Sequence, residues 1–152
     1  MEKHSIPRPG QSGSEHQRLK VFLGNWTAEG TLANGSAIAL TEDCDWLPGA
    51  GSFFIMQREE MRIGHDSFRT TRVVGYDRDA QVYDVHHFDS HGHARIYRGA
   101  EREGVWTLSG QQERATFVLD ADGGSFTAKW EQRGPDGSSW LPLCEFRTRK
   151  SR

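Results

Sequence analysis

The stretch Tyr83–Tyr97, YDVHHFDSHGHARIY, holds four of the seven histidines of this 152-residue chain within eight positions. Histidine beside aspartate suits a metal site, and it also suits general acid or base chemistry. Whether these side chains act together depends on the strands that carry them, because successive side chains of a strand point to opposite faces. His86 and His87 must therefore lie on opposite sides of any sheet.

The turn of this hairpin leaves two registers open. A two-residue loop, His91-Gly92, places Ser90 opposite His93. A three-residue loop, Ser90–Gly92, instead gathers three potential metal ligands on one face: His87, Asp89 and His93. Because that patch would lie at a solvent-exposed hairpin end, we expect solvated histidines and no bound metal, with these three residues as the alternative metal site.

Other residue patterns that carry enzymatic chemistry are missing or incomplete. The chain has no Gly-x-Ser-x-Gly motif, and the PGAGS stretch lacks the Gly-Lys-Ser/Thr ending of a phosphate-binding loop. Glu59 and Glu60 are adjacent on a predicted strand, so they face opposite ways and form no carboxylate pair. Cys44 and Cys144 are too widely spaced for a zinc motif and predict reduced, buried or half-buried thiols. These observations favour a protein that is not an enzyme and carries no cofactor.

Composition describes a polar globular chain. The formal net charge is −2, with 26% charged and 35% hydrophobic residues, and no basic run precedes the C-terminal tail. Nucleic-acid binding is therefore not expected. The N-terminus lacks the apolar segment of a signal peptide, and no apolar run approaches the roughly 18 residues of a membrane helix. We expect a cytoplasmic protein without a membrane partner.

Residues 1–13 are rich in polar and chain-breaking residues and predict a disordered leader. Ser14 is placed to cap one short helix, which Gly24 ends. A single domain then runs to residue 150 as short β-like runs separated by turn residues. These predicted strands are Trp26–Leu32, Ile38–Leu47, Phe53–Arg62, Phe68–Tyr76, Val82–Asp89, Ala94–Arg98, Val105–Ser109, Arg114–Leu119, Ser125–Gln132 and Trp140–Thr148.

About ten strands with no room for crossover helices predict an antiparallel sheet. So many sequential strands exceed what a small open sheet carries, and closure removes the exposed edges. A two-sheet Greek-key sandwich would show longer loops than this chain has after residue 24. The predicted fold is therefore an all-β, antiparallel up-and-down barrel with one short N-terminal helix.

Several short segments carry a resemblance to known barrels. Gly24-Asn25-Trp26 directly after a helix resembles the start of the calycin superfamily, which includes lipocalins and fatty-acid-binding proteins. The resemblance implies that Trp26 plugs the closed end of the barrel and that an arginine of the last strand, Arg147 or Arg149, covers it.

Further segments make the resemblance more specific: Gly75-Tyr76-Asp77, Phe88-Asp89-Ser90 with Gly92, and Asp136-Gly137-x-x-Trp140 before a strand ending in Arg149. Their order resembles a bacterial family of calycin-like barrels of unknown function, over residues 15–150. That family implies about ten strands and brings no activity or catalytic residues. The related nitrobindin-like proteins bind haem through a histidine near the C-terminus, whereas this chain has no histidine after His93. Haem therefore stays only an alternative.

A barrel of this size has room for a small ligand, and polar residues facing its interior need partners. Two choices of inward face remain, because a shift of one residue exchanges them. The favoured choice turns six residues toward a ligand: Arg72, His86, Phe88, Arg98, Phe126 and Trp130. The opposite choice turns Tyr83, Val85, His87 and Tyr97 inward. We favour the first because more apolar side chains, such as Val82 and Ile96, accompany it.

The leading hypothesis is a small-molecule-binding barrel whose ligand is small, partly apolar and anionic, because two arginines offer bidentate donors. The first alternative is an enzyme of isomerase, cyclase or lyase type with His86 as acid or base. The second is a haem- or metal-binding barrel. A filled barrel with an assembly role, as a homodimer through an exposed strand, is the third.

Overall fold

The computed structural model describes residues 12–151, which form a closed antiparallel barrel of ten strands and one short helical segment. The predicted fold class is confirmed. Most of the predicted leader lies outside the described residues. Helix α1 spans Ser14–Arg18 and continues as a 3-10 turn over Leu19–Phe22. The strands are β1 Gly24–Leu32, β2 Ala37–Trp46, β3 Ile55–Ile63, β4 Asp66–Asp77, β5 Val82–Asp89, β6 Ala94–Arg102, β7 Val105–Ser109, β8 Glu113–Leu119, β9 Ser125–Arg133 and β10 Trp140–Ser151.

Every strand pairs with its neighbours in sequence, and the ring closes between β1 and β10. Within residues 12–151 no strand edge is free, so the strand-mediated homodimer considered from the sequence has no edge to use there. No helix in this part of the chain is long and apolar enough to cross a membrane.

The two ends of the barrel differ. Five hairpin turns, including the β5–β6 turn at residues 90–93, surround one end, which we call the mouth. The helical segment packs across the other end. There the Tyr83 hydroxyl donates to the carbonyl of Glu15 at 2.7 Å, and the ring of Phe22 packs edge-on to Trp106 at 5.0 Å. The barrel is therefore capped at one end and approached through the mouth.

Trp26 closes the capped end, as the resemblance implied. It is only 2% exposed, and its indole Nε1 donates to the carbonyl of Phe22 at 2.9 Å. The covering cation is Lys150, whose Nζ lies 5.2 Å from the centroid of the Trp26 ring. The expectation that Arg147 or Arg149 covers it is wrong, because Lys150 lies directly opposite Trp26 in the register and the two arginines are exposed on the outer face.

One strand contact tolerates no side chain. A Cβ on Gly30 in β1 would lie 2.0 Å from the carbonyl oxygen of Glu145 and 2.6 Å from the Cα of Phe146 in β10. Since backbone atoms cannot move aside as a flexible side chain can, we expect Gly30→Ala to lower the free energy of unfolding by about 1–3 kcal/mol or more. Urea unfolding measures this. Gly124→Ala is the matched control, because the nearest atoms there belong to the side chain of Asp122 at 3.5 Å. Equal effects of the two substitutions would contradict the expectation.

Candidate functional site

The barrel interior contains two cavities. The inner cavity, of about 50 Å³, lies under the helical cap, and the mouth cavity, of about 280 Å³, lies beneath the hairpin turns. Both cavities share four lining residues, which we call the partition: Glu59, Arg72, Trp130 and Phe146. The inner cavity is otherwise mainly apolar, with the aromatic side chains of Phe22, Tyr83, Trp106, Phe117 and Phe126 in its wall. An apolar chamber with a few polar groups is the usual form of a small-molecule site.

A buried ion pair forms the polar part of the partition. The Arg72 Nη1 and Glu59 Oε2 atoms lie 3.4 Å apart, and their side chains are 14% and 6% exposed. The Arg72 guanidinium carbon also lies 5.5 Å from the Trp130 ring centroid. Burial opposes the arginine charge, but the carboxyls of Glu59 and Glu42 outweigh this and raise the pKa of Arg72. Its Nε is buried with no hydrogen-bond partner among residues 12–151.

A second buried carboxyl lies next to this pair. Glu42 in β2 is directly opposite Glu59 in β3, and both line the inner cavity. Burial, reinforced by the nearby charge of Glu59, raises the pKa of Glu42 to about 8, so this carboxyl is mostly protonated at neutral pH. Glu42 Oε2 and the Thr148 hydroxyl are both buried without a partner in the described chain. Polar groups left unsatisfied in this way are costly unless a ligand or water meets them.

At the mouth, the β5–β6 hairpin adopts the three-residue loop. His87 is opposite Arg95 in the register, and the Asp89 amide donates to the carbonyl of His93 at 3.2 Å. The three residues of the alternative metal site therefore lie together. They meet through hydrogen bonds to one oxygen, Asp89 Oδ2, which is 2.9 Å from His87 Nε2 and 3.2 Å from His93 Nδ1. No group of metal-ligating side chains between residues 12 and 151 has the arrangement of a metal site.

Asp89 also fixes the turn. Its Oδ1 accepts the backbone amides of His91 at 3.0 Å and His93 at 3.1 Å. Burial acts against the carboxylate, but the hydrogen bonds from His87, His93 and these amides outweigh it and lower the pKa of Asp89 well below its usual range. Asp89 is therefore ionised at neutral pH and can only accept hydrogen bonds.

A tyrosine–glutamate–arginine group lies beside this cluster. The Tyr97 hydroxyl donates to Glu113 Oε1 at 2.6 Å, and Arg95 Nη1 donates to the same oxygen at 2.9 Å. Burial, aided by the Glu113 carboxylate, raises the pKa of Tyr97 to about 12. All three side chains line the mouth cavity together with His87. Tyr97 therefore stays protonated and serves as a donor.

The structure divides the six residues predicted for the ligand site. Arg72, Phe126 and Trp130 face the interior as expected. The inward orientation expected for His86, Phe88 and Arg98 is wrong: all three lie on the outer face, where Phe88 is 52% exposed and Arg98 pairs with Asp84 at 3.4 Å. The cause is register, because Arg72 lies opposite His87, and so His87 shares its face.

Three interior polar residues were not singled out as site residues from the sequence, namely Glu42, Glu59 and Glu113, and Tyr97 was named only in the opposite choice of inward face. One signal was available for Glu59, which follows the buried Ile55 by four positions and precedes the buried Met61 by two. Residues at these spacings share a strand face. From the sequence, Glu59 was considered only as a possible partner of Glu60 in a carboxylate pair.

The two cysteines match their expected environment. Cys44 is buried and Cys144 half-buried, and neither forms a disulfide. Burial raises the pKa of Cys144 to about 12, with the Glu59 and Glu113 charges adding to the shift. Because the thiolate is the nucleophile, this raised pKa makes Cys144 a poor nucleophile at neutral pH although it lines the mouth cavity.

Comparison with known proteins places this geometry in context. Residues 11–135 match the family model described as protein of unknown function (DUF1579). No curated protein matches the chain. Solved structures with a similar barrel include three at low sequence identity.

The first is Rv2717c from M. tuberculosis, with a TM-score of 0.64 and 13% identity over 93% of this chain and 100% of that one. The second is the S-type phycobiliprotein lyase CPES from Guillardia theta, with a TM-score of 0.61 and 8% identity over 92% and 94%. The third is EF1p2_mFAP2b bound to DFHBI, with a TM-score of 0.52 and 9% identity over 91% and 100%. At these identities the similarity is one of fold.

Proposed function

This chain belongs to the DUF1579 family of proteins of unknown function, which supplies no activity, and from its geometry we propose that it binds a small, partly apolar anion inside the barrel. The observation that carries the proposal is the group of three buried, unpartnered polar atoms around the inner cavity of the described chain: Arg72 Nε, Glu42 Oε2 and Thr148 Oγ1. The anionic head would meet these atoms, and the apolar body would lie in the mouth cavity.

All three groups can donate a hydrogen bond. The guanidinium Nε–H and the threonine hydroxyl are donors by nature, and Glu42 is a donor because its raised pKa of about 8 keeps it protonated. A ligand carboxylate accepts several such bonds and would satisfy them at once. The inner cavity of about 50 Å³ suits a head group of this size, since one water needs roughly 10–15 Å³ on the same measure.

The mouth cavity limits the rest of the ligand. At about 280 Å³ it lies near the lower end of ligand pockets, which begin at roughly 300 Å³. Its wall combines apolar side chains such as Met61, Phe68 and Leu143 with the polar hairpin residues. Two of the similar barrels support small-molecule binding by their names, one a phycobiliprotein lyase and one bound to DFHBI. The proposal includes a bacterial cytoplasmic setting, in which the two free thiols stay reduced.

Thermal stabilisation by octanoate and by octanol tests the proposal, because the two ligands share an apolar chain and differ in the charged head. We expect octanoate to raise the melting temperature more than octanol does. The double variant Glu59→Gln/Arg72→Gln should remove that preference, lowering octanoate affinity about tenfold or more, as expected for loss of a charge-assisted hydrogen bond.

The matched control is the outer-face pair Asp84→Asn/Arg98→Gln, whose charged atoms also lie 3.4 Å apart. Its preference for octanoate should equal that of the unchanged protein. Equal stabilisation by the two ligands, or the same loss in the outer-face variant, would reject an anion site at the partition.

A further inference from the structure

His87 has one ring nitrogen bound and one free. Its Nε2 lies 2.9 Å from Asp89 Oδ2, while its Nδ1 is buried without a partner in residues 12–151. Because the Asp89 carboxylate can only accept, Nε2 must carry the proton, and the Nδ1 of a neutral ring then holds a lone pair. This is the arrangement of an imidazole prepared to take a proton.

The charges around His87 keep it neutral. Arg72 of β4 and Arg95 of β6 lie directly opposite it on its two neighbouring strands. Burial, joined by these two cations, lowers the pKa of His87 against the opposing effect of Asp89. Tyr97 packs edge-on to the His87 ring at 6.0 Å, and His93 shares the Asp89 oxygen. A neutral, oriented imidazole is therefore the resting form at neutral pH.

We propose that His87 is a general base at the mouth cavity, positioned by Asp89, and that it moves a proton between two carbons of a small, partly apolar carbonyl compound. The inference rests on the proposed ligand site: Arg72 Nε would meet the anionic head there, and an Nη atom of the same guanidinium would hold the carbonyl oxygen. Side chains of directly opposed residues begin about 5 Å apart, so the base and the Arg72 donor can reach neighbouring atoms of one molecule.

The step is balanced without any other reactant. His87 Nδ1 takes a proton from the carbon beside the carbonyl, and the C–H electrons form a carbon–carbon double bond while the carbonyl electrons move to oxygen. Arg72 donates to the resulting enolate oxygen, which stabilises the developing charge. When the enolate is conjugated to a second double bond, the imidazolium returns the proton to the far carbon and the carbonyl re-forms. The product is an isomer of the substrate, and His87 is again neutral.

The probe 5-nitrobenzisoxazole tests the base directly. A base that takes its ring C–H proton breaks the N–O bond and releases a coloured nitrile phenolate, so the reaction needs the same proton transfer and the same stabilised oxygen. We expect cleavage above the buffer rate, and His87→Gln should lower it about a hundredfold. His86→Gln is the matched control, because the adjacent residue lies on the outer face and should leave the rate unchanged.

Asp89→Asn tests the positioning. The asparagine oxygen still accepts the turn amides, but the side-chain nitrogen would donate to His87 Nε2. The neutral ring would then carry its proton on Nδ1 and would have no lone pair there to act as a base. We expect a loss close to that of His87→Gln and a shifted pH midpoint of cleavage. A purely structural role would lower the melting temperature and leave that midpoint in place.

Octanoate binding, measured on the same proteins, separates this inference from the proposed function. If the unchanged protein binds octanoate but cleaves the probe no faster than His87→Gln does, the base is overturned and the proposed binding site stands. Cleavage that depends on His87 without octanoate binding supports the base and rejects the anion site. An unchanged protein that neither binds octanoate nor cleaves the probe rejects both the anion site and the base. If His87→Gln fails to fold, the pH dependence of cleavage by the unchanged protein is measured instead. A cleavage rate that does not fall when the pH is lowered far enough to protonate His87 overturns the base.

Discussion

Replacing Glu42 with glutamine is expected to stabilise the protein at neutral and mildly alkaline pH. Burial raises the pKa of Glu42 from 4.5 to about 8, with Glu59 adding to the shift. Between these two values the unfolded chain releases the proton while the folded chain keeps it, so the folding stability of the unchanged protein declines as the pH rises. Each pKa unit corresponds to about 1.4 kcal/mol. The glutamine variant should therefore be more stable by several kcal/mol near pH 8 and nearly equal below about pH 4.5.

Urea unfolding of both proteins between about pH 5 and about pH 8 measures the difference. His16 and His87 also affect this range, because burial lowers their pKa values and protein stability therefore falls as the pH drops through about 6.5. Both histidines are present in the unchanged protein and in the glutamine variant, so their effects cancel in the difference between the two free energies of unfolding. Glu29→Gln is the control, since Glu29 is exposed on the outer face of β1. A difference that stays flat over this pH range would mean that Glu42 is ionised in the folded protein.

The sequence contains enough information to predict the fold because the turn signals recur regularly. Asn34-Gly35 ends β1, and Gly35 has a φ of 90°, the left-handed conformation that favours glycine. Ten short strands without crossover segments leave few alternatives to closure. The place of Trp26 was instead implied by the resemblance of Gly24-Asn25-Trp26 to the start of calycin barrels, and the residue is buried at the capped end.

The candidate site was only half predictable because face assignment in β5 depends on pairing with other strands. Both faces of this strand carry one histidine and aromatic or branched side chains, so alternation alone does not distinguish His86 from His87. The pairing of Arg72 with His87 decides the matter, and it follows from the β4–β5 turn. The same alternation of faces explains why Lys150 rather than Arg149 covers Trp26, because adjacent residues of β10 point to opposite sides of the barrel wall.

Buried charges are the harder case. Glu42 and Glu59 suggest a solvent-exposed position when considered alone, because isolated charges are rarely buried, and only Arg72 was predicted to face inward, toward a ligand. Together they are tolerable: one carboxyl is protonated and the other pairs with the guanidinium. That compensation involves three strands and becomes visible only when the barrel closes.

Replacing Arg72 with methionine alone is expected to destabilise the barrel by about 3–5 kcal/mol, because it leaves Glu59 buried without its partner. Replacing both members, Glu59→Gln/Arg72→Met, should recover most of this loss, since a neutral pair of similar volume removes the unpaired charge. The single variant should also lose more stability as the pH rises, because the directly opposed Glu42 and Glu59 then repel each other without the Arg72 cation that contacts Glu59.

Arg98→Met provides the matched comparison on the outer face. Its ion pair with Asp84 has the same 3.4 Å separation, but the Arg98 side chain is 61% exposed. Water screens such a pair, so the substitution should change the free energy of unfolding by no more than about 1 kcal/mol. Urea unfolding of Arg72→Met, Glu59→Gln and the double variant, with the unchanged protein, forms a double-mutant cycle whose coupling energy measures the buried pair. A double variant no more stable than Arg72→Met alone would show that the cost comes from lost packing against Trp130 rather than from an unpaired carboxylate.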